Sequence, residues 1–118
     1  MSLVADTVRP PNCRLIMDRV TVFRSFIAKS PQDPFPRYGL AMELKGRGDW
    51  DAAWVEFSTL LESFPDYVPT YLMAAGSLVE QGKTTEAKQL FRRGIDAATR
   101  KGDLHAKREL EEALALIE

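Results

Sequence analysis

Histidine and cysteine are nearly missing from this chain of 118 residues, which holds one of each, His105 and Cys13. A single thiol cannot close an internal disulfide, and a reducing cytosol suits it best. Cys13 has no histidine nearby to take its proton, so it does not read as a nucleophile. His105, in the setting Leu104-His105-Ala106, has neither a cysteine nor a second histidine at metal-ligand spacing. It reads as a capping or exposed residue near the start of a helix, and neither a metal nor a cofactor is expected. Long hydrophobic runs are also absent: the longest stretch without charge, Tyr67 to Val79, is 13 residues, against the ~20 that span a bilayer. Asp6, Arg9 and the pair Pro10-Pro11 interrupt any signal-peptide apolar region. No glycine loop suited to phosphate occurs, since Gly46 and Gly48 read as turn residues. Glu109, Glu111 and Glu112 read as surface charges on a helix before they read as an acid/base pair. These absences point away from an enzyme and away from a membrane.

No sign of charge dominates, with 16 basic and 17 acidic residues and a net charge of −1. The charges nevertheless fall in blocks. Residues 1–37 hold six bases and three acids (+3), and residues 43–80 hold two bases and seven acids (−5). Residues 83–108 hold eight bases and three acids (+5), and the last ten residues add four acids (−4). Such blocks are ordinary solvated helix faces, or a pattern that steers a complementary partner or a second copy of the chain. Lys88, Arg92, Arg93, Arg100 and Lys101 line up as a basic strip. The isoelectric point near 5.9 and the acidic middle block argue against general phosphate affinity, hence against nucleic acid.

What the chain does have is a period of 34 residues, which relates Phe23, Phe57 and Phe91. The same spacing relates Pro31 to Pro65, Ala41 to Ala75, Leu44 to Leu78, Gly48 to Gly82 and Ala53 to Ala87. A fixed period of this size signals stacked supersecondary units. Residues 1–16 read as an irregular tail, because Pro10 and Pro11 oppose helix and no apolar period is sustained. Met17 is a candidate natural start. From there Val20, Phe23 and Ile27 follow helical spacing as far as Ser30-Pro31. Pro31 to Pro36 reads as a loop in which Asp33 caps a second helix, with Pro34 in its first turn, that runs to about Lys45. Asp49 caps a third helix, which ends before Pro65, and a fourth spans roughly Pro69 to Glu80. Thr84 or Thr85 caps a fifth, Gly102 stops it, and Asp103 opens a sixth. Alternating β-branched runs are missing, so the chain is all helix.

These residues resemble the tetratricopeptide repeat family, whose signature is Trp-x2-Leu-Gly-x2-Tyr, then Ala-x3-Phe, then Pro. The first unit reads Arg37-x2-Leu40-Ala41-x2-Leu44, Ala53-x3-Phe57, Pro65, and the second Tyr71-x2-Ala74-Ala75-x2-Leu78, Ala87-x3-Phe91, with Thr99 for the proline. The resemblance implies a single domain over 17–118: a half unit (17–33), repeats at 34–67 and 68–101, and a capping helix at 103–118. It implies a right-handed superhelix of antiparallel pairs, about six helices in all. The alanines sit where paired helices cross, and the three phenylalanines fill the space between pairs. Arg37 in place of Trp weakens the first contact or covers it with its stem. Gly94, standing where the first unit has Leu60, leaves a gap for a bulky neighbour, for which the last helix is a candidate. Thr99 lets the fifth helix continue toward Lys101. Two full units fall below the usual three, so the flanking helices or a second copy must supply packing surface.

In this family the first helix of each unit lines a groove that holds a partner segment. The matching positions are Phe35, Tyr38, Met42 and Lys45, then Leu72, Gly76, Val79 and Glu80. The implied function is non-enzymatic binding of a protein or peptide on this apolar floor. The alternative is a self-associating subunit, a homodimer for instance, that uses the same surface. Residues 1–16 folded back are a third possible cover. Tyr38 and Met42 occupy two positions of the cation-and-amide clamp by which some chaperone-binding members hold a C-terminal carboxylate, and neither side chain can serve there.

Overall fold

The computed structural model describes residues 18–118. Among them are six helices and no strand: α1 (Arg19–Lys29), α2 (Pro34–Gly46), α3 (Trp50–Ser63), α4 (Pro69–Glu80), α5 (Thr84–Lys101) and α6 (Leu104–Ile117). The expectations for the tail, for Met17 as a start and for Cys13 fall outside the described residues. Asp33, Asp49 and Asp103 cap α2, α3 and α6 by accepting from the backbone N–H of Phe35, Ala52 and Ala106. The second helix starts inside the segment expected to be loop, because Pro34 fits the first turn and Pro36 is buried in it. Neither Thr84 nor Thr85 caps α5. Its N-cap is Lys83, with no side-chain bond, and both threonines lie within the helix.

The period is visible as repeated hydrogen bonds. Asp49 N–H donates to the Leu44 carbonyl at 3.0 Å, and Lys83 N–H donates to that of Leu78 at 2.8 Å. Between the partners stand Gly48 and Gly82, at φ of 79° and 78°, a left-handed turn that a Cβ would strain. Each helix packs on its chain neighbours, and α2, α4 and α6 also lie side by side as one layer.

Alanine sets the spacing within that stack. Ala41, Ala74, Ala75 and Ala87 are fully buried, and Ala53 nearly so, which lets helix axes approach closely. Phe57 and Phe91 fill the core as expected, while Phe23 is only half-buried. Phe23 lies against bare backbone: a Cβ on Gly39 would stand 2.5 Å from its ring. The gap at Gly94 is filled from two sides, by Tyr71 of α4 and by Leu110 of the last helix. With Thr99 in place of proline, α5 does run to Lys101.

Arg37 neither leaves a void nor merely covers one. Its Nη1 donates to Oε1 of the buried Glu56 on α3 at 2.7 Å. One period later the same two positions carry Tyr71 and Leu90, both buried. The two units therefore fill equivalent sites with an ion pair and with an apolar pair. Breaking a buried pair is costly because one charge is stranded, whereas replacing both members by apolar groups is often neutral or favourable.

Two stability predictions follow from this packing. Glu56→Leu alone should cost about 1–3 kcal/mol in urea unfolding by leaving Arg37 unpaired, while Arg37→Tyr with Glu56→Leu should match wild type or exceed it. A double variant no better than the single would show that the ion pair itself is required. Gly94→Ala gains about 1 kcal/mol of helix propensity, yet it forces a Cβ to 2.5 Å from Tyr71 Cβ. Overpacking of about 1–3 kcal/mol should win, so the thermal midpoint should fall; a rise would mean that the α4–α5–α6 junction has slack.

Candidate functional site

The sequence-derived groove residues lie on α2 and α4, and the structure divides them. Phe35, Tyr38 and Met42 line a cavity of about 430 Å³ between α1 and α2, together with Phe23 and Gly39. Tyr38 and Leu72 line a second cavity of about 350 Å³, walled on its far side by α6. Tyr38 belongs to both, so its ring is the shared wall of two adjoining apolar hollows. Helical spacing produces this arrangement: Phe35, Tyr38 and Met42 lie three and four residues apart, on one face of α2. Phe35 is the most open of them, 62% exposed.

The other four residues lie outside both cavities. Gly76 and Val79 continue the Leu72 face of α4 by one and two turns. Open space surrounds the place where a Gly76 side chain would stand, with no atom within 4 Å of an added Cβ. Lys45 and Glu80 pair with each other at 3.6 Å, and the Lys45 ammonium also sits 5.6 Å above the Trp50 ring. These two side chains tie α2 to α4.

Sequence reasoning missed the contribution of α6. Ala106 and Glu109 line the second cavity, as do Asp103 and His105 at its edge. The signal was present, because Tyr38, Leu72 and Ala106 are spaced by the same 34 residues and line one cavity. The last helix thus forms one wall of this cavity, opposite Tyr38 and Leu72. His105 is exposed and does not cap α6, a role held by Asp103; its Nε2 lies 3.6 Å from Oε1 of Glu109, one turn on. Glu109 is half-exposed, as expected of a surface charge, and lies at the rim of the cavity.

Several cations of the basic strip have partners within the fold. Arg92 bonds Glu118 at 2.7 Å, Arg100 bonds Asp66 at 2.8 Å, and Arg93 lies 5.9 Å from the Tyr71 ring centre. Three of the five cations are therefore engaged within the fold. Among the described residues no three His, Cys, Asp or Glu side chains gather as a metal site would need. None of the described helices is long and apolar enough to cross a membrane.

A tetratricopeptide repeat domain protein from Salinibacter ruber, solved in solution, is similar to this chain at 32% identity and a TM-score of 0.72. The match covers 75% of this chain and 90% of that one. The crystal structure of a tetratricopeptide repeat domain protein from the same organism aligns at 32% identity and a TM-score of 0.69, over 72% of this chain and 96% of its own. A protein from Bordetella parapertussis shares the fold at 22% identity and a TM-score of 0.71, with 83% of this chain and 85% of that one covered. No protein-family model matches the sequence, and no curated protein does.

Tyrosine chemistry offers a probe of the shared wall. Tyr38 and Tyr67 meet edge to face, ring centres 5.7 Å apart. Burial holds the Tyr38 phenol above its ordinary value of 10.0, aided by Tyr67. Burial also raises Tyr67, with Asp33 contributing. A pKa raised in the folded state gives stability that is complete below the unfolded value and lost as pH rises through the folded one. Urea stability should therefore decline above pH ~10, and Tyr38→Phe with Tyr67→Phe should make that decline shallower. An unchanged slope would place both phenols in water.

Proposed function

This chain belongs to the tetratricopeptide repeat family, and we propose that it is a non-enzymatic protein-interaction module that takes a partner segment along the layer α2–α4–α6. The observation that carries the reading is Tyr38, which joins two apolar cavities into one strip open to solvent. Apolar surface left open on one face of a small domain marks a contact site. Phe35, Met42 and Leu72 supply its apolar area, and Ala106 extends it onto the last helix. Gly76 and Val79 prolong the α4 side, while the Lys45–Glu80 pair borders it.

Catalysis has no support in the side chains near this strip. His105 is largely exposed, and its acidic neighbour Glu109 is half-exposed, so nothing there resembles a positioned base in a water-excluded site. A partner protein in a reducing cytosol is the setting that the lone thiol suits.

Crosslinking capture from an extract of the producing cells tests the reading, with wild type beside Leu72→Asp and Gly76→Trp, both checked for helicity. Tryptophan at position 76 meets open space and stands one turn from Leu72, so it obstructs the strip without displacing the core. Proteins captured by wild type should disappear with both variants, and undiminished capture would sink the proposal. Sedimentation of the same three samples reads self-association: a wild-type dimer that both variants dissolve would assign the strip to a second copy.

A further inference from the structure

The two ends of the strip differ in charge. At the α1–α2 end the ionisable groups are Arg19 and Glu43, which face each other at 3.7 Å and leave that cavity balanced. The Lys45–Glu80 pair at the border is balanced in the same way. At the α4–α6 end the ionisable lining consists of Asp103, Glu109 and His105, with no lysine or arginine among the residues that form the cavity. Asp103 accepts the N–H of Ala106 at 3.0 Å, which leaves its charge in place. Glu109 has His105 for company, with Nε2 3.6 Å from its Oε1. Of the arginines on the adjacent α5, Arg92 bonds Glu118, Arg100 bonds Asp66, and Arg93 lies 5.9 Å from the Tyr71 ring centre.

We infer, resting on the groove reading above, that the partner segment carries a lysine or arginine beside an apolar anchor, with the cation at the α6 end. Tyr38, Leu72 and Ala106 receive the anchor and the aliphatic stem of the basic residue. The cationic head then meets the Glu109 carboxylate in a charge-assisted hydrogen bond, within the field of Asp103. Arginine suits the site better than lysine, because its planar fork can bond a carboxylate while it lies against the Tyr38 ring. The opposite end, apolar and balanced, takes uncharged side chains against Phe35 and Met42. The strip is therefore polar along its length and fixes the direction in which a segment lies.

The test uses fluorescein-labelled synthetic peptides, each with a Leu or Phe anchor in a Ser/Gly background and Arg, Lys, Ser or Glu beside it. Each is titrated with the full chain by fluorescence anisotropy. Arg and Lys peptides should bind about tenfold more tightly than the Ser peptide, and the Glu peptide most weakly. That preference should shrink with added salt. Glu109→Gln should reduce the preference, and Glu109→Lys should reverse it so that the Glu peptide binds best; Glu109 is half-exposed, and thermal melts verify that both variants fold. Equal binding of all peptides, lost in Gly76→Trp, would overturn the charge inference and leave the groove standing. Charge-selective binding that survives both Gly76→Trp and Leu72→Asp would place the acidic site elsewhere and overturn the groove. Failure of every peptide to bind would overturn both.

Discussion

Tyr71 is the residue on which three layers of this stack depend. It belongs to α4, is 2% exposed, and its hydroxyl donates to the Pro65 carbonyl in the preceding connection at 2.6 Å. Its Cβ lies against the bare backbone of Gly94 on α5, where Leu110 of α6 also arrives. One side chain thus holds the end of the first unit, the body of the second and the terminal helix. The glycine is the condition for it, since any side chain at position 94 would push the tyrosine off. The hydroxyl satisfies a carbonyl that would otherwise end unpartnered at a chain turn.

The same constraint bears on how the two ends of the stack are covered. A helix pair cannot bury its own apolar face, so each end of a short stack needs cover. At the C-terminal end α6 buries Leu110 and Leu114 and turns glutamates outward, which covers the second unit. At the N-terminal end α1 has no fully buried residue and is joined to α2 through half-buried Val20, Phe23 and Ile27. Phe26, on the same helix, remains 50% exposed. The two ends are built to different standards of closure.

Much of this was legible in the sequence, because the period is a property of backbone geometry. Turn glycines, aspartate caps and crossing alanines each have a local physical cause, and each appeared where the spacing put it. The α5 start differs from the threonine expectation because the turn bond to Leu78 sets Lys83 at the N-cap, one period after Asp49, which leaves both threonines inside the helix. Arg37 was read in isolation, and its partner Glu56 became visible only when α3 was laid beside α2. The groove residues split in a similar way. Face and spacing placed Phe35, Tyr38 and Met42 together, but Lys45 and Glu80 found each other instead. Ala106 and the rim position of Glu109 are not signalled by the family pattern, from which the last helix departs, although the count from Tyr38 through Leu72 reaches Ala106.

The loose seating of α1 has a consequence for the chemistry of the strip. One cavity is bounded by Arg19 and Phe23 of that helix, so it exists only while α1 is docked on α2. Helices with few buried contacts open locally at a small fraction of the global unfolding free energy. The cavity at the α6 end is framed instead by the well-buried Leu110, so the two cavities differ in how firmly their walls are held. If the strip takes a segment as proposed, the grip of that segment on the α1 side would raise the order of the helix that forms it.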